Sequence, residues 1–193
     1  MMLRRSLNTY MNAFTAADTT AYPFATRNKK DFYNLLSVYL DAVFFPNLHP
    51  LDFAQEGWRL EYAEDEKDQG NLVYHGVVYN EMKGAMSSPL AQLWNHLHAA
   101  LFPDTIYAHN SGGDPIEITK LKHTQLCEFH SRYYNPTNAV FLTYGDLCWM
   151  EHQVRIEELV LNRFDGISEI VKILPQKPFD DKIEIEVAYQ TTQ

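Results

Sequence analysis

Glu81 is the first candidate for chemistry in this sequence, because it interrupts an otherwise apolar stretch. It lies in GVVYNEMKGAM, residues 76–86, where Val77, Val78 and Met82 predict a buried setting. A buried carboxylate without a partner is costly, so such a residue usually faces a hydrogen-bond donor, a cation or a metal ion. The segment alone leaves two interpretations open: a metal ligand, or a buried acid paired with Arg or Lys.

Two other segments carry metal-binding residue types but make weaker candidates. His96 and His98 are two positions apart, which on a helix turns them in different directions. The segment CWMEH, residues 148–152, resembles the zinc motif HxxEH but has Cys148 where the first histidine belongs. Cys148 and His152 lie one helical turn apart, and the surrounding sequence offers no further ligand. Packed or surface roles are therefore favoured for these side chains.

Motifs of other reaction classes are missing from the sequence. The glycines of NSGGDP, residues 110–115, are not followed by the lysine and hydroxyl residue of a phosphate-binding loop. No GxSxG nucleophile motif occurs, and Ser87 and Ser88 are better explained as helix caps.

The composition excludes some classes of protein. A formal net charge of -9 over 193 residues provides no basic excess for binding nucleic acid. The 2 cysteines stand in no paired motif, which favours a reducing compartment. No apolar run approaches membrane-spanning length, so we expect a soluble protein with no membrane partner. The basic, acid-free start over residues 1–17 superficially resembles a targeting peptide, and the alternative is a folded helix over 2–10 that leads into a strand.

Hydrophobic periodicity predicts the elements that must position these residues. Apolar residues at helical spacing predict a core helix over 29–45, capped by Asn28 and ended by Pro46. The alternation in GWRLEYA and the segment Leu72–Tyr74 predict two strands, and a helix carrying Glu81 follows Gly76. Further helices are predicted to begin at Ser88-Pro89, to span about 122–133, and to run to about residue 164.

The remaining predicted strands complete a mixed fold. NAFTAADTTAYPFA predicts two strands with a turn near Asp18, while NAVFLTY (138–144) and KIEIEVAYQ (182–190) predict one strand each. The predicted fold class is α/β, or α+β on a stricter definition: a mostly antiparallel sheet with helices packed on one face. The predicted organisation is one domain over 1–164, a linker over 165–181, and the first strand of a following, truncated domain over 182–193.

Several blocks, taken in order and spacing, resemble a known family over nearly the whole chain. They are LNTYMNAFTAADTTAYPFATRNKKDFYNLLSVYLDAVFFP, FAQEGWRLE, LVYHGVVYNEMKGAMSSP, SGGDP and EFHSRYYNPTNAVFLTYGD. Together they resemble the pitrilysin–insulysin family of inverzincin zinc metallopeptidases, in particular its presequence-protease branch. The resemblance implies the repeated α/β unit of that family, incomplete at its N-terminal end, so residues 1–164 correspond to a partial N-terminal catalytic-type domain.

The resemblance also implies roles for particular residues. In that family, zinc is held by the two histidines of HxxEH and by a downstream glutamate, which corresponds here to Glu81. The segment NAFT resembles the edge strand on which an extended peptide substrate lies by strand addition. The implied substrate-binding residues are Asn12, Ala13, Phe14 and Thr15.

The departure from the family pattern concerns catalysis. HxxEH occurs nowhere in the sequence, so the implied general base and two metal ligands are absent and no catalytic residue is assigned. The resemblance therefore implies a fragment of a zinc metalloendopeptidase that degrades short unstructured peptides, inactive alone and binding no zinc alone. The alternative is a non-catalytic homologue that acts as a structural or peptide-binding subunit.

The resemblance further implies partners and a location. The expected partners are extended peptides, the remainder of the parent protein and, through exposed strand edges, further copies of this chain. The expected location is the cytoplasm or the matrix of mitochondria or plastids.

Overall fold

A computed structural model describes residues 6–63, 70–165 and 172–188. Contacts between Cα atoms divide these residues into two units. The first unit comprises residues 6–14, 20–48 and 122–165, and the second comprises residues 15–19, 49–63, 70–121 and 172–188.

The predicted fold class is confirmed, because helices and small antiparallel sheets are mixed along the chain. The helices are α1 (Lys29–Phe44), α2 (Pro50–Glu56), α3 (Val77–Ala85), α4 (Pro89–Leu101), α5 (Pro115–Ile118), α6 (His123–Tyr133) and α7 (Trp149–Leu159). The strands are β1 (Asn8–Met11), β2 (Phe14–Thr15), β3 (Thr20–Ala21), β4 (Phe24–Thr26), β5 (Arg59–Tyr62) and β6 (Leu72–His75). In the described ranges they form the pairs β1–β4, β2–β3 and β5–β6 rather than one larger sheet.

Helix α1 forms the centre of the first unit. Its N-cap, Asn28, accepts a 3.0 Å hydrogen bond from the backbone N–H of Asp31 through its side-chain oxygen, as the sequence predicted. The buried stripe of α1 packs against Ile156 and Val160 at the end of α7. Burying each large apolar side chain contributes about 1.5–3 kcal/mol, so this contact is the main source of stability in the unit. The stripe consists of Tyr33, Leu36, Leu40 and Phe44.

The β1–β4 pair lies beside α1. It is antiparallel, with Tyr10 opposite Ala25 and Met11 opposite Phe24. The Phe24 ring contacts the ring of Tyr39 on α1, with 4.8 Å between the centroids. The predicted N-terminal helix is wrong from Asn8 onward, where the chain is a strand, and residues 1–5 lie outside the described residues.

The second unit contains the β5–β6 hairpin and the helix that carries Glu81. Arg59 pairs with His75 and Tyr62 pairs with Leu72 in an antiparallel register. Gly76 follows β6 directly and lies so close to Gly57 that a Cβ atom at position 76 would stand 2.2 Å from the Gly57 carbonyl oxygen. Close backbone contact at this point sets the start of α3.

Two predicted strands do not form within the described residues. Residues 139–144 are assigned to no strand, and Val140 and Tyr144 are 93% and 99% exposed. Residues 182–188 likewise pair with no described strand, while 189 and 190 lie outside the described residues. An alternating pattern predicts a strand only where a second strand can pair with it, and the pattern does not reveal whether one does.

The predicted linker, residues 165–181, lies partly outside the described residues. Within the described part, the Gln176 side chain bonds to Asp104 twice, by accepting from its backbone N–H at 3.0 Å and by donating to its carboxylate at 2.8 Å. The boundaries predicted at 164 and 181 stay predictions.

Candidate metal and peptide site

Glu81 lies on α3, and its side chain is exposed. Its neighbour Met82 is the buried residue of this helix, at 8% exposure, whereas Val77 and Val78 are 52% and 38% exposed. The prediction of a buried carboxylate is therefore wrong. Successive helical residues point about 100° apart, and a short, mostly apolar run does not reveal which of them faces the core.

A glycine loop packs against α3 next to Glu81. A Cβ atom at Gly112 would stand 2.3 Å from the Met82 sulfur, so only glycine fits there without a shift of that side chain. The following Gly113 has a φ of +90°, in the left-handed region that glycine adopts readily. The Asn110 side-chain oxygen accepts the Gly112 N–H at 2.9 Å, and this bond fixes the turn. We call residues 110–114 the glycine loop.

The same loop holds the tip of the β2–β3 hairpin. The Ser111 hydroxyl donates a 3.2 Å hydrogen bond to the carbonyl of Thr15. Close by in sequence, the Tyr107 hydroxyl donates to the Asp18 carboxylate at 2.8 Å, and this bond raises the pKa of Tyr107. Thr15 and the helix of Glu81 therefore contact the same loop within the second unit.

The other three predicted peptide-binding residues belong to the first unit. The Asn12 N–H donates to the Pro23 carbonyl at 3.1 Å, which continues the pairing of β1 with β4 by one residue. The Ala13 N–H turns instead to the Asn12 side-chain oxygen at 2.8 Å, and Phe14 is 55% exposed. Within the described ranges β1 pairs with β4, and β2 pairs with β3.

A shallow groove of about 370 Å³ borders Asn12 and Ala13. Aromatic and aliphatic side chains dominate its walls, so it has the size and character to accept an apolar side chain. The lining residues are Met11, Asn12, Ala13, Tyr22, Tyr39, Ala42 and Val43.

The weaker metal candidates lie in packed or surface positions. Cys148 is the N-cap residue of α7 and His152 is buried, with its ring 4.9 Å from the Phe32 ring. His96 is exposed, and the ring of His98 meets that of Trp94 edge-on at 6.1 Å. The described residues contain no group of three His, Cys, Asp or Glu side chains placed to hold a metal ion.

The sequence did not reveal the part played by Ser111 and Gly112. The two glycines of NSGGDP are the feature of the sequence that could have indicated a close backbone approach there. Which helix and which strand the loop contacts depends on residues far apart in sequence, so local patterns could not supply it.

No family model matches the chain. Curated relatives do. "Presequence protease, mitochondrial" of Danio rerio is 51% identical over 179 residues, which is 93% of this chain and 18% of the relative. The protein of the same name from Schizosaccharomyces pombe is 51% identical over 191 residues, 92% of this chain and 19% of the relative. "Protein HypA" of Clostridium perfringens is 45% identical over 190 residues, 97% of this chain and 19% of the relative.

These similarities make the chain a homologue of peptidases. More narrowly, it is homologous to the presequence proteases, which confirms the resemblance first found in its sequence blocks. The chain spans about a fifth of the length of these relatives. None of the helices in the described ranges is long and apolar enough to cross a membrane.

Proposed function

We propose that this chain is the segment of a presequence-protease-type zinc metalloendopeptidase that supplies one metal ligand and the peptide-docking edge. Glu81 is the ligand, and Asn12, Ala13, Phe14 and Thr15 form the edge. The glycine loop carries this proposal, since Ser111 holds the Thr15 carbonyl while Gly112 packs on Met82, the neighbour of Glu81. One loop thus contacts both Thr15 and the helix of the ligand within the second unit.

The proposed substrates are short unstructured peptides. A peptide that adds to a strand must expose its backbone in extended form, which a folded protein does not do. In the described residues, β1 pairs with β4 and with no other strand, and this supports strand addition beside it. The groove beside Asn12 and Ala13 is suited to an apolar side chain of the same peptide.

Zinc requires more ligands than the described part of this chain brings together. Catalytic zinc sites have three protein ligands and an open position for water. Glu81 supplies one carboxylate, and the described residues hold no cluster of three ligands. The described residues by themselves therefore do not fit a zinc site, and we assign no catalytic step to them. In the proposed enzyme, the two histidines and the general base come from an HxxEH segment outside this chain.

The names of the relatives suggest where the proposed enzyme works. Both presequence proteases compared above are called mitochondrial, so we propose a mitochondrial location rather than a plastid or cytoplasmic one. Its partners are then extended peptides and the remaining four-fifths of a protein of the relatives' length.

The metal ligand is tested by elemental analysis of a protein of the relatives' full length that contains this chain. We expect Glu81→Gln to lower zinc affinity by more than about 100-fold, since loss of an outer partner of a ligand already costs about 10- to 100-fold. Glu128→Gln, at another exposed glutamate, is the matched control and should leave the zinc content unchanged. An unchanged zinc content in the Glu81→Gln protein would mean that Glu81 is an ordinary surface residue and not a metal ligand. Tight zinc in the 193-residue chain alone would reveal a different site.

The peptide edge is tested by binding of unstructured peptides to the same full-length protein. Strand addition uses the peptide backbone, so N-methylation at alternate residues of the peptide should abolish binding while its side chains stay the same. Equal binding of methylated and unmethylated peptides would contradict the proposal. Binding without hydrolysis, in a protein that lacks HxxEH throughout, would instead identify a non-catalytic peptide-binding subunit.

A further inference from the structure

Residues 139–144 alternate between the core of the first unit and solvent. Ala139 packs against the buried cluster of α1 and α7, and the centre of the Phe141 ring lies 5.9 Å from that of Phe44. The side chains between and after them face solvent, with exposed fractions of 93%, 88% and 99% for Val140, Leu142 and Tyr144. Side chains that point to opposite faces in turn are typical of a strand-like backbone.

The backbone of this segment is open to a partner. The Ala139 N–H donates to the Pro136 carbonyl at 3.2 Å, but among the described residues no backbone hydrogen bond involves residues 140–144. A row of unpaired N–H and C=O groups is a template for pairing with a strand of another chain. Residues 140–144 therefore form an open pairing edge beside the first core.

The sequence of this edge suits pairing with itself. Natural edges are often protected by charged side chains or proline, and residues 137–145 contain neither. When two copies lie antiparallel about Leu142, the Leu142 residues face each other and Val140 faces Tyr144. Apolar pairs and pairs of an aromatic with a β-branched residue stabilise antiparallel strands.

The other segment without a described partner strand, residues 182–188, opposes such pairing. Two copies that lie antiparallel about Ile185 place Glu184 of one directly opposite Glu186 of the other. Like charges directly opposite each other destabilise a strand pair. The two segments therefore provide a pair for comparison, one that matches itself and one that repels itself.

We propose that this chain self-associates through residues 139–144, which pair antiparallel with the same residues of a second copy. The two-fold axis passes Leu142, so each copy presents the same apolar, uncharged edge to the other. Six residues a side make a small interface, and association through it is reversible and depends on concentration. The pairing does not depend on the proposed metal ligand or peptide edge.

The first test is sedimentation equilibrium of the 193-residue chain at increasing concentration. We expect dimers to form, and Leu142→Lys to weaken their association at least about tenfold, because two ammonium groups then meet at the axis. Ile185→Lys, at an exposed position of the other segment, is the matched control and should leave the dimer unchanged. A chain that stays monomeric at every concentration would overturn the proposal.

Hydrogen exchange of the same samples locates the interface. Amides of residues 140–144 should gain protection as the concentration rises, whereas those of residues 183–187 should not. Protection of 140–144 in the monomer would also overturn the proposal, since a segment of the same chain would then be the partner.

Cysteine cross-linking tests the axis, in a chain that carries Cys127→Ser and Cys148→Ser. Opposed residues of an antiparallel pair have Cα atoms about 4.5–5.5 Å apart, within the range of a disulfide. Leu142→Cys should therefore give a disulfide-linked dimer on oxidation with diamide. Two Val140→Cys copies stand about 13 Å apart across the axis and should not cross-link.

A mixture of Val140→Cys and Tyr144→Cys chains should cross-link again, because these positions face each other in the proposed register. Circular dichroism confirms that each variant is folded. Equal yields from Leu142→Cys and Val140→Cys alone would indicate random collision and overturn the proposed pairing.

Discussion

The Tyr33 hydroxyl on α1 donates a 2.5 Å hydrogen bond to the Glu151 carboxylate on α7. Lys29 approaches the same carboxylate at 3.4 Å, and the Arg155 guanidinium lies 4.7 Å from the centre of the Tyr33 ring. The hydroxyl of Tyr33 and the ammonium of Lys29 lower the pKa of Glu151, and the same hydrogen bond raises the pKa of Tyr33 to about 12. The Glu151 side chain therefore links α7 to α1, and these two helices form the core of the first unit.

This pair makes the stability of the chain depend on pH at both ends of the scale. The lowered pKa of Glu151 contributes stability above the ordinary glutamate pKa, and that contribution is lost as the pH falls through the folded value. We expect Tyr33→Phe to lower the urea midpoint at neutral pH and to lose this effect in acid. On the alkaline side, the contribution of Tyr33 disappears as the pH rises from its ordinary value of 10.0 through about 12.

The matched control for Tyr33 is Tyr144, whose side chain is 99% exposed. Tyr144→Phe should leave the urea midpoint unchanged at every pH. A Tyr33→Phe effect of the same size in acid and at neutral pH would show that the hydroxyl acts by packing and not through Glu151.

His152 should be replaceable by an apolar residue with a gain in stability. Its ring is buried, and neither ring nitrogen has a hydrogen-bond partner among the described residues. Because an unsatisfied buried polar group costs about 1–3 kcal/mol, His152→Leu should raise the free energy of unfolding by about 1 kcal/mol. His152→Ala should lower it by about 2 kcal/mol or more, since it leaves a cavity against Phe32. Chemical denaturation measures the free energy of unfolding of both variants. His96→Leu, at an exposed histidine, is the control and should leave it unchanged. A His152→Leu chain less stable than its parent would mean that the imidazole has a polar partner.

Two glycines of the second unit should respond in opposite directions to alanine. Gly76→Ala brings a Cβ atom against the Gly57 backbone and should cost more than about 3 kcal/mol of stability. Gly84 lies inside α3 with no atom within 4 Å of a Cβ, so Gly84→Ala should add about 0.5–1 kcal/mol through helix propensity. Urea titration of both variants measures the contrast, and a tolerated alanine at position 76 would contradict the close backbone contact.

Amide hydrogens from Ile183 to Val187 should exchange with solvent almost as fast as in an unfolded peptide. The alternating residues Ile183, Ile185 and Val187 are 52%, 61% and 48% exposed, and this segment pairs with no described strand. Hydrogen exchange read by mass spectrometry should show protection in α1 and none here. Strong protection in a chain shown to be monomeric by sedimentation would mean that the segment has a partner strand of its own.

The sequence predicted those elements whose stabilising residues all lie within one continuous segment. The helix over 29–45 has its cap, its apolar stripe and its terminating proline within one segment, and it forms at Lys29–Phe44. The two strands of the β5–β6 hairpin were also predicted, although the sequence did not predict that they pair with each other. The strand predicted at 138–144 does not form among the described residues. A strand is stabilised by pairing with a second segment, and the alternating pattern does not show whether such a segment is present.

The candidate site shows the same limit. The resemblance of whole blocks selected Glu81 and Asn12–Thr15, yet the local pattern placed the Glu81 carboxylate in a buried setting that it does not occupy. The contacts of Ser111 with Thr15 and of Gly112 with Met82 join segments about 96 and 30 residues apart. Such contacts arise from tertiary packing between distant segments, so a local sequence pattern cannot predict them.

The contact between Gly57 and Gly76 also limits how this sequence can diverge. A clash between two side chains can be relieved when the second residue becomes smaller, but here the obstacle is the Gly57 carbonyl group, which every residue possesses. No compensating substitution at position 57 can therefore make room for a side chain at position 76. We expect position 76 to remain glycine in every descendant that keeps this turn, so it provides a fixed reference point for aligning sequences too distant to match elsewhere.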